Sequence, residues 1–299
     1  MGKRRMNGEG SIYRRASDGM WVGGLQVGYK PDGGRDRRVV YGRTKVEVQQ
    51  KLNDLKRQRD AGIDLTKRST VSAFMDKWLT MKSTRVCART HELYTSYVGR
   101  ARDGLGRTEL ANVTPVMIEA VIDDVAESSG AYTANKVRSV LFGLFKYAVR
   151  SRLLPANPVE GVDRLKETPR PLRMWTHQEA ARFLETACEH RLYALFYVML
   201  ATSMRKGEIE GLRWADMHGD HIIVSRTVSS VANQLRFNRP KTPKGYRLVI
   251  LPPDVIDVLN AHRQRQVAEA EAAGGVYNDS RAPSTVVRLG IGWVGSSRV

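Results

Sequence analysis

Cysteine is almost absent. There are two in 299 residues, Cys87 and Cys188, and neither has a second ligand at a metal-binding interval. That excludes a zinc finger and a disulfide scaffold and suits a reducing cytoplasm. Long apolar runs are missing too. The strongest, "LYALFYVMLA", is too short to span a bilayer and reads as a buried core helix. The start, "MGKRRMNGEG", has no apolar stretch of the signal-peptide kind, so no membrane partner is expected. Acidic residues are in deficit: 31 Asp and Glu face 49 Lys and Arg, a formal net charge of +18. No carboxylate cluster of the two-metal kind appears, so neither a metal nor another cofactor is expected. A positive excess of this size points to a polyanion, most simply nucleic acid, because each Lys or Arg at a phosphate releases counterions. The plainer alternative is a ribosome-associated or simply basic protein.

The charge is uneven. Residues 1–60 hold 15 Lys or Arg against 7 Asp or Glu, which favours a small nucleic-acid-binding module there. "GSIYRR", "MWVGGLQVGY" and "RDRRVVYG" read as three strands separated by the turn material "ASDG" and "KPDGG". "TKVEVQQKLNDLKRQRDAG" reads as a helix, capped by Thr44 with Glu47 three residues on. Arg14, Arg15, Arg35, Arg37 and Arg38 fall on these strands or turns, and a basic face carried by strands can enter a DNA groove. A solvated sheet face would look the same in sequence.

After a linker, "GIDLTKRSTV", the texture becomes helical. "VSAFMDKWLTMK" spaces Val71, Phe74, Trp78 and Met81 at three and four. "VTPVMIEAVIDDVAES" opens with Thr114 before Pro115. "AYTANKVRSVLFGLFKYAVRSRLL" is the longest helix expected, and "PANPVEGV" stops it. A bundle of four or five helices over about residues 66–165 results, with Arg89, Arg100, Arg102, Lys136, Arg138, Lys146 and Arg150 available for phosphates. A second linker, "KETPRPLRMW", leads to a capped helix, "THQEAARFLETACEH". The apolar run follows, and then "ATSMRKGEIEGLRWADM". "DHIIVSRTVSSV", "QLRFNRPKT" and "YRLVILPP" read as three short strands, and "PPDVIDVLNAHRQRQVAEAEAAGG" as a helix.

At this point the chain resembles a tyrosine site-specific recombinase of the phage-integrase type, to about residue 275. "ATSMRKGEIEGLRWADM" resembles that family's first catalytic-arginine box, and "RPKTPKGYRLVILPP" resembles its hairpin-lysine segment. The two boxes stand in order behind a helical stretch, "NKVRSVLFGLFKYAVRSRLLPANPVEGV", that resembles the core-binding domain. The fold this implies is α+β in three parts. Residues 1–62 form an arm-type DNA-binding module, a three-stranded sheet plus helix. Residues 66–165 form a helical core-binding domain. Residues 172–299 form a partial mixed α/β catalytic domain. The resemblance makes Arg205 a catalytic arginine supported by Glu208. It makes Lys241 the general acid at the departing 5′ oxygen, with Lys244 a weaker alternative. Physical chemistry agrees on the need: phosphoryl transfer requires fixed positive groups where charge develops on nonbridging oxygens, and arginine is permanently charged and forked. Arg14, Arg15, Arg37, Arg38, Arg89, Lys136, Arg138 and Lys146 are the expected DNA contacts. Double-stranded attachment-site DNA is the expected partner, with a homotetramer in active relatives, and an excisionase or host DNA-bending protein beside it. The expected location is the cytoplasm of a bacterial host, at the nucleoid.

The same resemblance calls for a later His-x-x-Arg box, then His or Trp, then a nucleophilic tyrosine that forms a covalent 3′-phosphotyrosine. "HRQR" (His262, Arg265) matches formally, but it lies in the helix directly after "VILPP", where relatives carry a polar helix without a catalytic role. Trp293 has no tyrosine after it, and Tyr277, in "GGVYNDS", precedes it. The stretch 281–299, "RAPSTVVRLGIGWVGSSRV", has no acidic residue and no clear period. The expectation is a DNA-binding integrase that performs no strand exchange in this form. The alternatives are a non-catalytic DNA-binding protein that competes for recombination sites and, more weakly, a transcriptional repressor, for which no helix-turn-helix stands out.

Overall fold

The computed structural model describes residues 10–29, 33–66, 69–168, 171–232 and 234–272. The chain divides into two compact units, Met1–Pro169 and Arg170–Val299. The expectations for Tyr277, Trp293 and the stretch 281–299 lie outside the described residues.

The first unit opens with an antiparallel sheet, β1 (Ser11–Arg14), β2 (Trp21–Tyr29) and β3 (Arg35–Gly42), in that spatial order. Helix α1 (Lys45–Asp60) begins where the Thr44 side chain accepts from the Glu47 N–H at 3.2 Å and Glu47 Oε2 accepts from the Arg43 N–H at 2.9 Å. Leu25 meets Val48 and Leu52 in a small core, flanked by Ile12, Trp21, Val27, Val40 and Leu55. The segment after α1 is bonded at two points. Arg38 Nε donates to the Leu65 carbonyl at 2.8 Å, and the Asp64 N–H donates to the Arg152 carbonyl at 2.9 Å.

The rest of this unit is helical: α2 (Val71–Ser83), α3 (Ala88–Leu105) and α4 (Pro115–Arg150). Threonines cap α2 and α4, each accepting a backbone N–H two or three residues into the first turn, and Pro115 takes the position where a missing N–H costs nothing. The apolar stripe read from sequence is the core: Val71, Phe74 and Trp78 pack with Leu141, Leu144 and Phe145. Helix α4 is broken at Gly130, where φ is +82° and ψ is 158°. A side chain there would be strained, so glycine marks the joint between the two helices expected from the sequence.

The second unit carries α5 (His177–Thr186), α6 (Tyr193–Thr202) and α7 (Lys206–Ile209). Strands β4 (Met217–His218), β5 (His221–Val224), β6 (Thr227–Val231), β7 (Gln234–Asn238) and β8 (Arg247–Ile250) follow, and α8 (Pro253–Ala272) is the last element among the described residues. The strands form a sheet β4-β5-β8 and a separate hairpin β6-β7. "DHIIVSRTVSSV", expected as one strand, is two. It breaks at Ser225–Arg226, because Arg226 turns aside to pair with Asp216 and the halves join different sheets. Val198, Ile209, Ile222, Val224, Val255 and Leu259 form the core. Among the described residues no helix is long and apolar enough to cross a membrane.

Candidate active site

Helix α6 ends at Ser203, which takes a left-handed conformation (φ +52°). The chain then runs through buried Met204 into Arg205, extended, at the mouth of the short α7. The buried helix supplies a rigid base, and the reversal at Ser203 brings Arg205 to the surface, where its side chain is 80% exposed.

Glu208 is the centre of the site, and it is 5% exposed. Its Oε1 accepts from Arg205 Nη1 at 2.9 Å and Arg247 Nη1 at 3.0 Å. Its Oε2 accepts from the Arg205 backbone N–H at 2.9 Å and Arg247 Nη2 at 2.9 Å. A carboxylate has about four acceptor directions, and all are used. The forked bond from Arg247, opposed by burial and reinforced by both Arg205 donors, holds the Glu208 carboxyl down at about 2. The guanidinium of Arg247 is correspondingly stabilised in its charged form. Two guanidiniums and one carboxylate leave one positive charge in excess at this point, suited to a phosphate.

Arg247 was missed by the sequence reading. It stands at the start of β8, paired with Val224 of β5, and is only one-third exposed. The available signal was a lone basic residue opening an apolar strand in "YRLVILPP". Its partner could not be named without the sheet register.

Gly207 lets α7 lie against β6. A Cβ there would sit 2.5 Å from the Val228 carbonyl oxygen and 2.7 Å from Thr227 Oγ1. Gly207→Ala is therefore expected to push α7 off the hairpin and cost about 1–3 kcal/mol, measurable as an earlier denaturant midpoint of the second unit.

Asp216 repeats the pattern nearby, accepting the Arg213 N–H at 2.8 Å and pairing with Arg226. Arg213 lies 6.0 Å from the Phe237 ring of β7. Lys241 is exposed in the bend after β7, and Lys244 is exposed in the turn Pro243–Gly245. The strand β7 ends at Asn238, so Lys241 stands beyond the hairpin's ladder rather than on it. His262 is buried. Its Nδ1 lies 2.9 Å from Arg265 Nη2 and its Nε2 2.9 Å from Gln266 Nε2, while Trp214 Nε1 donates to Gln266 Oε1 at 3.0 Å. That is how α8 packs on Trp214, and it leaves "HRQR" without an exposed imidazole.

The expected DNA contacts divide by environment. On the first sheet, strand register places Arg37 with Tyr13, Val39 and Tyr41 on the face away from α1, and Arg37 donates to Ser11 Oγ at 2.8 Å. Arg15 pairs with Asp18 and lies 5.4 Å from the Tyr41 ring. Arg14 and Arg38 point to the helix side, Arg14 toward the Gly19 carbonyl at 3.0 Å and Arg38 toward Leu65. In the bundle, Arg89 pairs with Glu92 at 2.5 Å, and Lys136 lies 5.0 Å from the Tyr132 ring. Arg138 is half-buried on the Val162 carbonyl at 2.8 Å, and Lys146 is exposed. Among the described residues no group of His, Cys, Asp and Glu is arranged to hold a metal ion.

No family model matches the sequence. Individual relatives do. A protein named "Tyrosine recombinase XerC-like" from Caldanaerobacter subterraneus is 26% identical over 277 residues, 85% of this chain and 70% of that protein. An integrase from Streptomyces ambofaciens is 26% identical over 293 residues, 93% of this chain and 74% of its own. Among solved structures, the Tn1549 transposon integrase in complex with transposon right end DNA superposes with a TM-score of 0.59 at 20% identity, covering 64% of each chain. A lambda integrase dimer bound to a core site superposes with a TM-score of 0.52 at 17% identity, covering 86% of this chain and 73% of that one. These structures agree with this chain in fold. The chain is similar in sequence to proteins named tyrosine recombinase and integrase, and it shares the fold of solved integrases.

Proposed function

We propose that this chain binds double-stranded DNA at recombination sites and carries in Arg205, Glu208 and Lys241 one half of a strand-transfer centre. The observation that carries this reading is the exposed Arg205 held by a saturated, buried Glu208. Proteins named integrase among the relatives, and DNA-bound integrases among the structural neighbours, support DNA recombination and integration as the process. In this reading Arg205 meets a nonbridging phosphate oxygen, and Lys241 gives a proton to the departing 5′ oxygen. The sheet of the first unit and the exposed cations of its bundle supply two further contacts with DNA, as an arm-type and a core-binding module. Assembly as a homo-oligomer on DNA, in the bacterial cytoplasm, follows from the same reading, since a lambda integrase tetramer has been solved on a Holliday junction.

Within the 299 residues no tyrosine follows Tyr277, and among the described residues the "HRQR" match has its His262 buried. These residues alone are therefore proposed to bind without cleaving. A nicked duplex that traps a phosphotyrosyl link tests this. The expected result is salt-sensitive, non-covalent binding only. A protein–DNA species that survives denaturant would overturn the non-cleaving half of the reading, and no DNA binding at low salt would overturn all of it. The second reading is a DNA-binding competitor for integrase sites. It predicts displacement of an intact integrase from a shared site.

A further inference from the structure

We propose that Arg247 is the positioning residue of this site: by occupying both oxygens of Glu208 it limits Arg205 to a single side-chain bond and leaves that guanidinium turned outward for a DNA phosphate. This rests on the reading that Arg205 meets DNA.

The argument is one of saturation. A guanidinium opposite a free carboxylate closes onto it in a two-bond fork. Arg205 and Glu208 are three residues apart at a helix start, and nothing in their spacing forbids that closure. Yet the fork belongs to Arg247, whose Nη1 and Nη2 lie 3.0 and 2.9 Å from Oε1 and Oε2. The Arg205 backbone N–H takes the remaining direction on Oε2. Only one place is left for the Arg205 side chain, on Oε1 at 2.9 Å. Of the five N–H groups of an arginine, one is committed there, and the side chain stays 80% exposed, against 33% for Arg247. Arg247 has spent its fork on Glu208, so it acts through the carboxylate rather than on DNA. Remove it and Oε2 regains an open direction. Arg205 then closes its own fork onto Glu208 and is withdrawn from solvent.

The test compares the full chain with Arg205→Ala, Arg247→Met, the double variant and Arg247→Lys. Binding to a mixed-sequence duplex is measured against salt, alongside hydrogen exchange of the Arg205 guanidinium by 15N spectra. Losing one phosphate contact reduces the slope of log affinity against log salt by about one. Arg205→Ala and Arg247→Met are each expected to show that loss, and the double variant no more than either alone. In Arg247→Met the Arg205 N–H groups become slower to exchange. Arg247→Lys, which reaches one oxygen at a time, falls between, and it serves as the second variant where Arg247→Met does not fold. A double variant that loses about two contacts would mean Arg247 touches DNA itself, and overturns the proposal. Unchanged Arg205 exchange in Arg247→Met overturns it whatever the DNA result. If Arg205→Ala leaves the slope unchanged while exchange responds as expected, the positioning role stands and the DNA reading of Arg205 fails.

Discussion

Raising salt from about 50 to about 200 mM is expected to weaken DNA binding by about a thousandfold, the result of releasing counterions from roughly six phosphates. The cations available are spread over both units: Arg37 on the open sheet face, Lys136 and Lys146 on α4, Arg205 before α7, and Lys241 and Lys244 after β7. Half-buried Arg38 and Arg138 are already committed to carbonyl oxygens, so replacing them is expected to lower stability more than it changes the salt slope. Fluorescence anisotropy of a labelled duplex over a salt series measures the slope directly. A shallow slope, corresponding to one or two phosphates, would mean that the charge excess of the chain serves solubility rather than DNA.

Glu208→Gln is expected to destabilise the second unit by about 3 kcal/mol. The folded carboxyl titrates at about 2 against 4.5 for the unperturbed group, and each unit of difference is worth about 1.4 kcal/mol. The sign is that of a depressed acid. Its contribution is complete above pH 4.5, declines as pH falls, and is gone below about 2. Native chain and variant should therefore differ most at neutral pH and converge in acid. Hydrogen exchange of backbone amides in α7 and β8, with those of α4 as an internal reference, reads the effect within one sample. Equal stability of the two proteins at pH 7 would show that the fork contributes nothing net.

The helical parts of this chain were legible because burial follows period. Val71, Phe74 and Trp78 were read as a stripe and are a core, and Thr44, Thr114 and Thr176 stand at helix starts that the sequence marked. The sheet of the second unit was less legible. Where one strand ends is decided by Arg226 reaching Asp216, a pairing that local propensity does not encode. Of the site, Arg205 and Glu208 share one turn and could be paired from spacing alone. Arg247 lies 39 residues from Glu208, and only the β5–β8 register brings it there. The basic residues of the first sheet were visible as charge, but which face each occupies depends on pairing. Arg37 and Arg38 are neighbours in sequence and face opposite ways.

The two bonds that secure the segment after α1, Arg38 to Leu65 and Asp64 to Arg152, have a consequence for any DNA that meets both parts of the first unit. The sheet and the bundle are spaced by a bonded strut rather than a loose leash. Their two footprints on a duplex then keep one helical phase, so inserting half a turn of DNA between them should be tolerated less well than inserting a whole turn.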